Sequence, residues 1–162
     1  MQTRSPSPKD REALERLIAP PGQDNPFRPE EVSCALELLA AVLDPPEGNT
    51  YEARVLVDDA DRPIAYGCFG LTPMTDATYD LYWLVTSAEH RGRGLGGDLL
   101  GRIEGELRER GGRTVRVETS SLEGQGGARR FYLRAGYDEV GRIRDFYRPG
   151  DDLVTLAKRL SP

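Results

Sequence analysis

Apolar residues recur at every third or fourth position in three segments of the chain. Residues 8–18 place Leu14, Leu17 and Ile18 on one face, and residues 29–43 carry a longer apolar stripe that starts with a proline and two glutamates. A third segment repeats this spacing at Leu95, Leu99, Leu100, Ile103 and Leu107. Because such spacing lines up side chains on one side of a helix, the sequence predicts three helices here.

Shorter apolar runs bounded by turn residues predict strands. The polar turn at residues 58–62 joins the first two runs as a hairpin, and Pro149 with Gly150 forms the turn of a second hairpin near the end of the chain. No internal repeat is present. The five predicted strands lie at residues 52–57, 63–71, 79–85, 139–147 and 153–158.

A glycine-rich loop separates the third predicted strand from the helix that starts near Leu95. Residues 91–98 read RGRGLGGD, with four glycines in six positions. Backbone N–H groups approach an anion closely where no Cβ intervenes, and the start of a helix favours a phosphate through its unpaired N–H groups and its dipole. The loop and the helix together therefore predict a phosphate site.

The glycine spacing allows more than one interpretation. Gly92-x-Gly94-x-x-Gly97 fits a dinucleotide fingerprint, with Glu118 downstream as a ribose contact. That fold requires the glycines directly after a first strand and a repeating strand–helix series, whereas five residues intervene here and the preceding strands have no helices between them. A simple surface turn is the other alternative.

Read as Arg91-x-x-Gly94-x-Gly96, the loop resembles the acyl-coenzyme A signature of the GNAT N-acetyltransferase superfamily. A second segment, from Ala128 to Tyr137, is similar to another motif of that family, including a Phe-Tyr pair before a glycine that ends a helix. The resemblance covers about residues 50–160.

The resemblance implies the fold of a single domain over residues 1–162. It adds a strand at residues 113–119 and a shorter helix at 127–135, and it requires a first strand in residues 2–5. The expected class is α+β: a mixed, mostly antiparallel sheet of six or seven strands, flanked by about four helices.

The resemblance also implies acetyl-CoA as cosubstrate, with no metal. Gln125 stands where the family often has an asparagine that binds the pantetheine arm, and Ser120 and Ser121 are possible substitutes in a link that is longer than usual. The other expected contacts come from the strand before the loop and from the loop itself, at Trp83, Leu84, Val85, Arg91, Gly92, Arg93, Gly94, Leu95, Gly96 and Gly97.

Two residues carry the expected chemistry. Tyr132 matches the family's general acid, which protonates the departing thiolate, although a tyrosine next to Phe131 could also serve only in packing. Glu118 matches a catalytic glutamate of some protein N-terminal acetyltransferases, and its alternation with Val115 and Val117 puts it on the opposite face of the strand. A solvated or salt-bridged glutamate is the alternative, and other candidate bases are Asp80, Tyr82, Asp145 or a water molecule.

The sequence indicates the acceptor less specifically than the cosubstrate. The second hairpin contains two aromatic residues and three carboxylates within residues 145–152, and Tyr79, Asp80 and Tyr82 could add to them. An acidic cleft lined by aromatic rings suits a cationic amine, either a small metabolite or a peptide N-terminus. An ordinary charged turn explains the same residues. A non-catalytic module that binds acyl-CoA is the alternative to an enzyme.

Composition narrows the partners and the location. The formal net charge of −5 argues against general nucleic-acid binding, and no apolar stretch is long enough for a membrane span. The first ten residues lack the apolar centre of a secretory signal, so we expect a cytoplasmic protein. Cys34 and Cys68 lie in apolar surroundings without metal-type spacing, which predicts buried thiols. Family members are often dimers, so a homodimer is possible.

Overall fold

A computed structural model describes residues 1–22, 25, 27–122 and 127–161. Within them, four helices and seven strands follow one another in the order βααβββαβαββ. The helices are α1 (Arg11–Ile18), α2 (Pro29–Leu43), α3 (Leu95–Glu109) and α4 (Ala128–Arg134). The strands are β1 (Gln2–Arg4), β2 (Tyr51–Val57), β3 (Pro63–Leu71), β4 (Thr78–Thr86), β5 (Thr114–Ser120), β6 (Asp138–Arg148) and β7 (Asp151–Arg159).

The predicted α+β class is confirmed, with differences at the ends of the elements. The segment predicted as one helix from residue 8 begins with a 3-10 turn at Pro8–Asp10, and α1 follows it. The required first strand is present as β1, which pairs antiparallel with β2. Arg4 anchors β1 because its guanidinium donates to both carboxylate oxygens of the buried Asp10, at 2.8 and 2.9 Å.

The seven strands form one sheet in the order β1-β2-β3-β4-β5-β7-β6. Neighbours run antiparallel apart from β4 and β5, which are parallel and pair only from Thr78–Thr114 to Asp80–Arg116. Beyond Asp80 the two strands separate and leave a gap in the middle of the sheet. A sheet of this kind is not the parallel doubly wound sheet of the dinucleotide-binding alternative.

Helices cover both faces of the sheet, and each face has its own apolar core. On the first face, α1 and α2 pack on β2, β3 and β4 through a cluster that includes Leu14, Ile18, Leu39, Val55, Tyr66, Cys68 and Val85. On the second face, α3 and α4 pack through Leu99, Ile103, Leu107, Val115, Val117, Tyr132 and Tyr137. The gap between β4 and β5 therefore lies between two buried layers.

Candidate active site

The site is built around the gap between β4 and β5. Next to the gap, β4 is irregular: Trp83 pairs with Cys68 and Leu81 with Phe69, which leaves Tyr82 without a partner on β3. Such a bulge bends a strand and increases its local twist. After Asp80, the edge of β4 that faces β5 has no strand partner, so backbone groups near Trp83, Leu84 and Val85 remain available to an extended ligand.

The glycine loop delivers the start of α3 to the same place. Gly94 is the N-cap of α3 in the left-handed region, with φ +77°, and no side chain caps the first turn. The first N–H groups of the helix therefore lack the capping partner that helix starts usually have. Gly96 packs closely, since a Cβ there would lie 3.4 Å from Thr86 Oγ1 and 3.7 Å from the Phe131 ring. The uncapped helix start thus lies between the end of β4 and α4.

Space and charge around this helix start suit an anion. A Cβ added at Gly97 would meet no atom within 4 Å, so packing inside the protein does not explain a glycine in the first turn of α3. Arg91 and Arg93 are exposed, and neither has an ion-pair partner within the described part of the chain. The acidic residue of the first turn, Asp98, is already paired with Arg102 at 2.9 Å. The loop therefore offers free N–H donors and two uncommitted cations.

Tyr132 lies on the second face of the sheet, in α4. It is 7% exposed and packs between two aromatic rings, with centroids 5.1 Å from Phe131 and 5.4 Å from Tyr137. Burial raises the pKa of its phenol. No described group hydrogen-bonds its hydroxyl. The side chain therefore packs, as the alternative interpretation predicted. Its hydroxyl proton is also not donated to any group in the described part of the chain.

Glu118 lies on the first face, opposite to Tyr132. Its side chain is 46% exposed, and its one ion pair among the described residues is a long contact of 3.7 Å with Arg116. Its strand neighbours Val115 and Val117 are buried on the other face, as the alternation predicted. Glu118 is therefore a carboxylate with free acceptor capacity at the gap end of β5.

The other candidate bases are committed elsewhere. Asp80 is buried and accepts from Arg116 Nε at 2.6 Å and from Thr72 Oγ1 at 2.9 Å. Asp145 accepts from the backbone N–H of Gly150 at 2.7 Å and so stabilises the β6–β7 turn. For Tyr82, burial and then the charge of Asp80 raise the pKa to about 12, which leaves the phenol protonated at neutral pH.

The predicted acidic cleft is only partly present. Tyr79 does not reach it, because it is buried on the second face with the Arg110 guanidinium 5.9 Å from its ring centre. Asp152 accepts from Arg142 Nη1 and from the backbone N–H of Asp145, both at 2.9 Å, and therefore serves the turn. The hairpin carboxylates Asp145 and Asp152 thus follow the ordinary-turn interpretation, and Glu118 is the exposed acid of the site.

Aromatic residues also contribute to the first face, and Tyr147 lies near Glu118. Phe27, before α2, contacts Trp83 with ring centroids 4.6 Å apart. The Arg28 guanidinium lies 5.4 Å from the ring centre of Tyr147, on the β6–β7 hairpin. The pKa of Tyr147 is raised by burial and then by the nearby Glu118. Phe27 and Arg28 were not predicted from the sequence, since they lie in a loop where no periodicity or motif marks a contact.

The predicted pantetheine contact at Gln125 lies outside the described residues. Its possible substitutes are engaged elsewhere: the Ser120 hydroxyl donates to Asp151, and the Ser121 hydroxyl accepts from the backbone N–H of Asp152 at 2.8 Å. Both serines therefore fasten the end of β5 to the start of β7. This favours the turn-forming role for them over a ligand contact.

Some expected features concern the chain as a whole. No helix in the described ranges is long and apolar enough to cross a membrane, and the same ranges contain no cluster of three or more metal-ligating side chains.

Cys68 is buried, and burial raises the pKa of its thiol to about 12. The prediction of two buried thiols is wrong for Cys34, which is exposed on α2 because the apolar stripe of that helix points elsewhere.

A known protein family and a solved structure match this chain. Residues 51–139 match the family model of the acetyltransferase (GNAT) domain. A crystal structure from Desulfovibrio desulfuricans, described as a GNAT-family acetyltransferase, is 33% identical, with 99% of each chain covered and a TM-score of 0.88. No curated protein sequence matches the chain.

Two further solved structures share the fold at lower identity. An aminoglycoside 6'-N-acetyltransferase complexed with coenzyme A is 19% identical, covers 100% of this chain and 98% of its own, and has a TM-score of 0.76. The ribosomal-protein-S18-alanine N-acetyltransferase from Escherichia coli is 18% identical, with coverages of 99% and 94% and a TM-score of 0.72.

Proposed function

The chain belongs to the GNAT acetyltransferase family, and from that premise we propose that it transfers acetyl directly from acetyl-CoA to a primary amine in a ternary complex. Dependence on acetyl-CoA and transfer to nitrogen follow from the family. The proposal of direct transfer rests on the gap between β4 and β5. The uncapped helix start and Tyr132 lie on one face of the sheet at this gap, and Glu118 lies on the other.

The residues present fit coenzyme A. Its pyrophosphate needs N–H donors and cations, which the segment Arg91–Gly97 supplies at the start of α3. Its pantetheine arm carries amide groups, which suit the unpaired backbone edge of β4 at Trp83, Leu84 and Val85. An arm that starts at the loop and follows β4 runs along the gap, so the loop and the strand act as one binding surface.

Acetyl-CoA supplies an acetyl group activated as a thioester. In the overall exchange a C–N bond forms and the C–S bond breaks. A cationic amine loses one proton before it attacks and a second as the amide forms, while the sulfur gains one, so that one proton passes to solvent. Tyr132 donates the proton to sulfur, since its phenol is protonated at neutral pH and burial raises its pKa further. Glu118, which has free acceptor capacity on the opposite face, takes the proton that the cationic amine loses before it attacks, directly or through a water molecule.

The acceptor approaches from the first face. Glu118 and the nearby Tyr147 lie on that face, together with Trp83 and Tyr82 of β4. A cationic amine is attracted both by a carboxylate and by aromatic ring faces. The similar structures are named for an aminoglycoside and for the alanine of a ribosomal protein as acceptors. We assign this chain a small cationic metabolite or a peptide N-terminus as acceptor, and a cytoplasmic location.

The proposal is tested first by ligand stabilisation and then by turnover. Acetyl-CoA at about 100 times its Kd should raise the melting temperature by about 5 °C or more, whereas NADH and NADPH should leave it unchanged. Thiol release from acetyl-CoA is then measured with aminoglycosides, with peptides that begin with alanine, and with polyamines. Stabilisation without turnover across this panel would favour the non-catalytic binding module, and stabilisation by nicotinamides alone would overturn the cofactor.

Glu118→Gln should lower kcat/KM for the best amine about tenfold, and the loss should shrink as the pH rises and more of the amine is already neutral. An exposed base contributes at the lower end of such effects because water can replace it. The measurement is the pH profile of thiol release for both proteins. Glu118→Asp is the matched control and should retain more activity than the amide. Equal profiles for the wild type and Glu118→Gln would remove Glu118 from the mechanism.

A further inference from the structure

Three polar side chains meet beneath the end of α4: Glu104 and Tyr137, which are buried, and Lys158, whose side chain is 26% exposed. Glu104 on α3 is 5% exposed, and its Oε1 accepts a hydrogen bond of 2.9 Å from the Tyr137 hydroxyl. Its Oε2 accepts from Lys158 Nζ on β7 at 2.6 Å. Lys158 Nζ also lies 5.6 Å from the centre of the Tyr137 ring. We call Glu104, Tyr137 and Lys158 the buried cluster.

The buried cluster holds the carboxyl end of α4 through two backbone contacts. Lys158 Nζ donates to the carbonyl oxygen of Ala135 at 2.8 Å. The backbone N–H of Tyr137 donates to the carbonyl oxygen of Tyr132 at 3.0 Å, and the two rings lie 5.4 Å apart. Gly136, with φ +87°, lets the chain turn so that Tyr137 folds back beneath the helix.

A helix of seven residues depends on such contacts for its position. An isolated helix of this length is not stable in water, so tertiary contacts determine where α4 lies. Apolar contacts alone allow a helix to shift along its neighbours, whereas hydrogen bonds to a buried charged pair fix distances and directions. Stability by itself does not require the pair, because well-packed apolar residues often replace buried ion pairs without loss.

We propose that the buried cluster consists of positioning residues, which fix the Tyr132 phenol at the gap between β4 and β5. This inference rests on the proposed role of Tyr132 as general acid. Lys158 and Glu104 hold the end of α4 against α3 and β7. Tyr137 passes this positional constraint on to Tyr132 through its ring and its backbone N–H. None of the three touches the reacting atoms.

The kinetic test compares Lys158→Met and Tyr137→Phe with the wild type at saturating acetyl-CoA, with the fastest amine of the panel. Each variant should lower kcat about tenfold and change the KM for acetyl-CoA less than about twofold, because a small misplacement of an acid affects chemistry more than binding. Tyr137→Phe retains the charged pair, so it tests the proposal even if Lys158→Met fails to fold. Lys158→Arg, which keeps a cation, should restore most of the lost kcat.

A control and a double variant separate positioning from general damage. Arg54→Met removes a different ion pair of α3, that with Glu106, and should leave kcat unchanged. When Lys158→Met is combined with Tyr132→Phe, it should slow turnover by no more than about twofold beyond Tyr132→Phe alone, since a residue that acts through the phenol has no effect without it. Full additivity of the two effects, or an unchanged kcat in both single variants, would overturn the proposal.

A second measurement needs no acceptor. Protein labelled with 3-fluorotyrosine gives one fluorine resonance per tyrosine, and the resonance lost in Tyr132→Phe identifies residue 132. Lys158→Met and Tyr137→Phe should shift or broaden this resonance, while Arg54→Met should not. An unmoved resonance would refute positioning whatever the activity. Full turnover in Tyr132→Phe would instead refute the proposed general acid, so the two failures are distinguishable.

Discussion

Tyr132→Phe is expected to lower kcat about 100- to 1000-fold while the Kd for acetyl-CoA changes less than about twofold. The substitution removes a single oxygen from a side chain that is 7% exposed and packed between Phe131 and Tyr137, so the rings can stay in place. What disappears is the proton donor on the second face of the sheet. Without it the thiolate must leave unprotonated or take a proton from water.

The measurement is steady-state thiol release, with acetyl-CoA affinity determined separately by calorimetry. Tyr66→Phe is the matched control, because Tyr66 is another buried tyrosine, but it lies on β3 and packs on the first face, within the α1–α2 core. Its kcat should equal that of the wild type within about twofold. If Tyr132→Phe turns over as fast as Tyr66→Phe, Tyr132 is a packing residue only.

Gly97→Ala is expected to weaken acetyl-CoA binding about 10- to 100-fold while it stabilises the free protein. Gly97 lies in the first turn of α3, where a Cβ would meet no protein atom within 4 Å, and alanine is the better helix former by about 1 kcal/mol. The same Cβ would occupy the space in front of the uncapped N–H groups. Displacing an anion from charge-assisted hydrogen bonds gives a loss of this size.

Gly101→Ala provides the control for the Gly97 experiment. Gly101 lies in the same helix, one turn further on, and a Cβ there also meets nothing within 4 Å. Both substitutions should raise the melting temperature, and only Gly97→Ala should raise the Kd measured by calorimetry. Equal affinity in the two variants would mean that the pyrophosphate does not lie against the first turn of α3.

Local pattern determined most of the fold. The apolar stripes of α2 and α3 and the hairpin of β2 and β3 were predicted from spacing alone, because a helix or strand with one buried face imposes its period on the sequence. β1 has three residues, too few for a period, and only the family resemblance indicated it. The 3-10 turn at Ala88–His90 was not predicted, since a single turn leaves no repeating pattern.

The glycine loop was also predicted as an anion site from the sequence, because such a site at a helix start uses consecutive residues. The aromatic residues of the first face are different, since Phe27, Trp83 and Tyr147 come from three distant parts of the chain. The prediction for Tyr79 was wrong for another reason: it lies three residues before Tyr82, so strand alternation alone places its side chain on the other face.

The sequence by itself determined the order of the elements and the family, and it identified the glycine loop as a candidate anion site and Tyr132 and Glu118 as candidate catalytic residues. Only the tertiary structure decided at which residue β4 and β5 separate, that these two residues lie on opposite faces of the sheet, and that Asp80 is already paired with Arg116. The reason is physical. Local periodicity records which face of an element is buried, whereas strand separation, ion pairing and burial depend on residues that meet only after folding.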